Sequence, residues 1–135
     1  MKTVCKRLHR GDDLLLSIHR IAREEKLKAA VVLSAVGCVS SARLRDASGV
    51  NVRELPEHFE IVSMTGTVSA ARCHLHVALS REDLSTVGGH LMPGCIVNTT
   101  CELVLLEMED TEYQVEQDAQ TGYDEIVFAG REDTP

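Results

Sequence analysis

The chain has 135 residues, 44% hydrophobic and 26% charged, an ordinary balance for one domain around one core. Lysine and arginine total 14 against 21 aspartate and glutamate, a formal charge of −7, and aromatic residues make up only 3%. Gripping duplex phosphates needs dense positive charge and holding single strands needs aromatic platforms, so both functions are disfavoured.

"TVCKRL" (3–8) alternates as a short first strand. "GDDLLLSIHRIAREEKL" (11–27) reads as a helix with Leu14, Leu15, Ile18, Ile21 and Ala22 in one apolar stripe and Asp12 as its cap. "AAVVLSAVG" (29–37) is nearly all apolar and predicts a strand buried on both faces, which completes a βαβ unit. Strands and turns follow: "CVSSARLRD" (38–46), a turn at "ASGVN" (47–51), and "HFEIVSMTGTVS" (58–69) with Gly66 at a bulge or close approach. "CHLHVALS" (73–80) leads into a long connection through Gly88–Gly89 and Pro93, and "CIVNTTCELVLLEME" (95–109) is the longest strand-like run. Two short strands, "YQVEQD" and "GYDEIVFAG", end the chain in an acidic tail over residues 110–135. The fold class is α+β: a large, mostly antiparallel sheet with an N-terminal βαβ unit and one main helix, in a single domain over residues 1–135.

No run is apolar enough to span a membrane, and "MKTVCKRLHRGDD" lacks the core of a signal peptide, so a cytoplasmic protein with no membrane partner is expected. Cys5, Cys38, Cys73, Cys95 and Cys101 include no C-x-x-C pair and read as reduced thiols.

Alternation in "CHLHVALS" places Cys73, Leu75, Val77 and Leu79 on one face and His74 and His76 on the other. Imidazoles two residues apart, roughly 6.5–7 Å at Cα, can converge on one metal ion. The 13 residues between His76 and His90 form a return in which Gly88–Gly89 are expected to turn sharply and deliver His90 as a third ligand. Three neutral imidazoles suit zinc and leave a fourth position open; iron, manganese and nickel fit the same set. The competing reading is a solvated H-x-H pair on an exposed strand face. Glu60 is either a general base or hydrogen-bond acceptor beside such a metal, or a solvent-facing carboxylate. Glu102 reads as solvent-facing, and His9, His19 and His58 have no partner spacing.

Four strings occur in the order found in the plant-and-prokaryote conserved (PPC) domain family. They are "RLHRGDDLLLSIHRIAREEKLKAAVVLSAVGCVSSARLR", "FEIVSMTGTVS", "HLHVALSREDLSTVGGHLMPG" and "CELVLLE". The chain resembles that family along nearly its whole length. The resemblance implies a homotrimer, structurally similar to acetolactate decarboxylase, with a metal, zinc foremost, on His74, His76 and His90. Family members often carry a DNA-binding label, which in plants goes with an R-G-R-P type hook. The nearest string here, "HRGDD", is acidic, so DNA is not an expected partner. Two functions follow: a binding or regulatory module for a small ligand or protein partner, or a metal-dependent lyase or hydrolase acting on a small anionic metabolite.

Overall fold

The computed structural model describes residues 1–131. The acidic end of the tail, residues 132–135, lies outside the described residues. Strand β1 (Lys2–His9) leads through helix α1 (Leu14–Glu24) into β2 (Ala30–Arg45). Both strands pair antiparallel to β7 (Ile96–Glu107), which lies between them. The expected βαβ unit is therefore present in split form, with its two strands parallel.

The helix forms where the stripe predicts. Leu14, Ile18, Ile21 and Ala22 are buried against the sheet, and Leu15 packs at the margin. Burying an isoleucine side chain contributes roughly 1.5–3 kcal/mol, so Ile18 and Ile21 suffice to fix which face turns inward. The cap is Asp13, one residue later than expected: its carboxylate accepts from the Leu16 amide at 3.0 Å, while Asp12 accepts from the His9 amide at 2.8 Å. Asp13 also accepts from the Gly94 amide at 2.7 Å, tying the helix to the turn before β7. Asp13→Ala removes both bonds and is expected to cost about 1–2 kcal/mol, read as a lower urea midpoint with an unchanged slope.

The run over 29–37 is not buried on both faces, and "CVSSARLRD" is not a separate strand. Both belong to β2, whose register shifts three times, at Val32/Ser34, Gly37/Cys38 and Val39/Ser41. The first and third insert an extra residue into β2 and change which of its residues face inward, whereas the second places its extra residues on β7. Ala30, Ala35, Val39, Ala42 and Leu44 reach the core, whereas Leu33 and Val36 are 58% and 57% exposed. At 16 residues β2, not β7, is the longest strand.

The sheet continues through β4 (Phe59–Val68), β5 (Cys73–Ser80) and β6 (Thr86–Leu91), with β3 (Val52–Leu55) paired to the end of β2. Because β6 also pairs with β2, through Leu44 and Arg45, the strands β2, β4, β5 and β6 close into a ring. That closure brings the far end of β2 beside the histidine hairpin. Strands β8 (Thr111–Gln117) and β9 (Asp124–Gly130) form a separate two-stranded hairpin. It is anchored by the Tyr113 hydroxyl, which donates to the Ala30 carbonyl at 3.1 Å, and by a 2.8 Å Arg131–Glu107 ion pair.

Candidate metal centre

Strand β5 alternates as its sequence requires: Leu75, Val77 and Leu79 are buried, and His74 and His76 are exposed on the opposite face. His90 arrives by strand pairing. It lies directly across from His76 in the β5–β6 hairpin, and on its other side it pairs with Arg45 of β2. Thr65, His76, His90 and Arg45 thus form one row across four strands. The imidazole centroids are 5.1, 5.1 and 5.5 Å apart, and one nitrogen from each ring lies within 4.8 Å of the others. Tetrahedral ligands about 2.0–2.1 Å from a zinc ion lie roughly 3.4 Å apart, so small side-chain rotations bring the three nitrogens into range.

Gly88 and Gly89 do not make the turn. They lie inside β6, where a Cβ would sit 2.7 Å from the Val77 carbonyl oxygen and 2.8 Å from that of Arg45. Their function is close approach of backbones on both sides of β6. The reversal is made by the glycine-free segment before them: Leu84 adopts a φ of 69°, Arg81 donates to the Ser85 carbonyl at 2.9 Å, and the Asp83 carboxylate holds the Ser85 amide at 2.9 Å. Gly66 is the close-approach position expected, with a Cβ there falling 2.1 Å from the His74 carbonyl oxygen.

The surroundings favour neutral imidazoles. Burial pushes His90 down to about 4, helped by the positive charge of Arg45 and by the other histidines. His74 is lowered by burial first, then by His76, Arg72 and Arg45, with Glu125 opposing. A neutral ring has a lone pair to give a cation, so His74 and His90 are poised to bind metal.

A depression of about 450 Å³ opens beside the cluster, lined by Arg45, Arg72, His74 and His90 on one side and by Tyr123, Asp124 and Glu125 of the β8–β9 hairpin on the other. Sequence reasoning missed these flanking residues. Arg72 could have been found, since it shares the parity of His74 and His76; Arg45 and the hairpin come near only through tertiary pairing. Glu60 is not brought to the cluster. It pairs with Ser80, about 13 Å along β5 from His76, and lines a different depression with His58 and Asn98. Glu102 is exposed opposite Arg7, and His9, His19 and His58 stand apart from the three. Cys73 turns its thiol to the Ser69 carbonyl at 3.8 Å, and burial raises it to about 11, so it is no ligand.

A split βαβ unit in a mostly antiparallel sheet, with a three-histidine cluster on one hairpin, defines the class of protein. Residues 1–109 match the Plants and Prokaryotes Conserved (PCC) domain, and the chain belongs to that family. A hypothetical protein from Salmonella is similar at 32% identity and a TM-score of 0.93, covering 96% of this chain and 94% of that one. A metal-containing protein from Archaeoglobus fulgidus is also 32% identical, with a TM-score of 0.76 and coverage of 98% and 94%. A bifunctional protein GlmU from Synechococcus is 39% identical over 120 residues, which are 89% of this chain and 19% of that protein. The chain therefore spans about a fifth of the length of that relative.

Proposed function

We propose that the protein is a metal-binding homotrimer in which His74, His76 and His90 hold a divalent ion, zinc foremost, as the anchor for a small ligand or a protein partner. The convergence of the three imidazoles carries this reading. The metal content of the Archaeoglobus fulgidus relative supports it. A stretch that makes up a fifth of a longer bifunctional protein suits a module that works beside other domains. Elemental analysis of protein purified without a histidine tag tests the metal: about one ion per chain is expected, and none after dialysis against buffered metal would refute it. No helix of the described residues is long and apolar enough to cross a membrane, in keeping with a cytoplasmic module.

Trimer formation has its own support. Leu33, Val36 and Val62 leave more than half their surface in water, and β1 ends the sheet with one unpaired edge among the described residues. Both features are costly in a monomer and are covered by association. Multi-angle light scattering at micromolar concentration should return three times the chain mass; a monomer mass counts against it.

A second reading, a lyase or hydrolase, draws on Tyr123, Asp124 and Glu125 at the pocket wall, which place proton-transfer groups nearer the cluster than Glu60. Metal-dependent turnover that Glu125→Gln abolishes while metal stays bound would favour it over the binding module. Duplex DNA is not a ligand in either reading. With a charge of −7, fluorescence anisotropy of a labelled duplex should stay flat to micromolar protein at physiological salt.

A further inference from the structure

We propose that the pocket binds a small oxyanion, a carboxylate or a phosphate, through the guanidiniums of Arg45 and Arg72 beside the metal's open position. This rests on the metal reading above and names the ligand class for the same site. Arg45 is placed by the fold itself: it continues the cross-strand row that holds His76 and His90, and its Nη2 lies 3.4 Å from His90 Nδ1. Its Nε is buried and has no hydrogen-bond partner among the described residues. A guanidinium cannot shed its proton or act as an acceptor, so a buried N–H of this kind is satisfied only by an acceptor brought to it. Arg72 shares the depression, and among the described residues neither arginine forms an ion pair.

Charge decides the sign of the ligand. A divalent ion and two guanidiniums face two carboxylates, Asp124 and Glu125, and Glu125 already accepts from the Thr121 hydroxyl at 3.1 Å. The balance is positive, and the planar guanidinium fork matches the paired oxygens of a carboxylate or phosphate. A metal on the histidines also displaces the weak Arg45–His90 contact if it takes Nδ1, which frees Nη2 for the anion. About 450 Å³ suits a small metabolite and is far too small for a polymer.

The test titrates acetate and inorganic phosphate, in separate arms, into cobalt-loaded protein, following heat and the visible cobalt absorption. Saturable binding of at least one anion, with a change in the cobalt bands, is expected. Arg45→Gln and Arg72→Gln should each weaken it by about tenfold or more while cobalt content stays unchanged. Which arm saturates at the lower concentration tells a carboxylate ligand from a phosphate one. Arg72→Gln lies outside the strand row and keeps the test usable if Arg45→Gln fails to fold. Equal affinity in a folded arginine variant and the parent, or no saturation in either arm, overturns the proposal. If the protein takes up no cobalt, the metal reading fails separately. Anion binding by the metal-free protein, lost in both variants, would then still support the arginine pair, and none would overturn it.

Discussion

His76→Ala should leave the protein folded and remove its metal. The side chain is exposed on the outer face of β5, away from Leu75 and Val77, so truncation opens no cavity. An exposed substitution of this kind changes stability by about 0.5 kcal/mol or less. The effect on metal is far larger. His76 completes a triangle of imidazoles, opposite His90 on the neighbouring strand and two residues from His74 on its own. Its loss leaves a diagonal pair, and a two-histidine site holds zinc weakly beside a three-histidine one, by an expected ~10²-fold or more. A ligand present at about a hundred times its dissociation constant stabilises the native state by roughly 2.7 kcal/mol. The parent's melting temperature should therefore rise on adding zinc and fall with chelator, whereas the variant's should respond to neither. Undiminished metal content in purified His76→Ala would remove the basis of the site.

The sequence makes one half of this cluster plain and conceals the other for a physical reason. Period-two alternation in "CHLHVALS" is a local property, and with three leucine or valine positions on one face the parity of His74 and His76 is fixed without any knowledge of partners. The pairing of His76 with His90 depends on the length and conformation of the hairpin turn. That turn uses Leu84 at positive φ and an aspartate–serine clasp, where glycine would be the usual signal. The pair Gly88–Gly89 therefore draws attention to the wrong place. Its lack of side chains serves neighbouring backbone, which only tertiary structure reveals. The same limit explains β2. Bulges alter the inward face twice along one strand, so an apolar run that looks doubly buried has one face in water. Glu60 shows a further failure of local reasoning. The carboxylate lies between Phe59 and Ile61, both in the core, yet the register places it well along the sheet from the imidazoles.

Gly66→Ala should be the most damaging conservative change near the site, although it alters no ligand. Gly66 pairs with Leu75, the residue between the two β5 histidines. An added methyl would meet the His74 carbonyl oxygen at 2.1 Å, Leu75 Cδ2 at 2.7 Å and Leu75 Cα at 2.9 Å. Two of those atoms are backbone and cannot rotate away, so β4 and β5 must separate locally. The φ of 155° at this position adds strain for any residue with a Cβ. Overpacking a tight core usually costs about 1–3 kcal/mol, and a clash with backbone in a central strand pair belongs at or above the top of that range. Separation of the strands also shifts His74 and His76 against His90, so metal affinity should drop together with stability. Gly130→Ala is the matching control: none of the described residues lies within 4 Å of a Cβ there, and its melting temperature should match the parent's. Denaturant midpoints and metal content of the two variants, measured side by side, decide the matter. A Gly66→Ala protein as stable and as metal-rich as Gly130→Ala would show that β4 and β5 leave room for a side chain at this position.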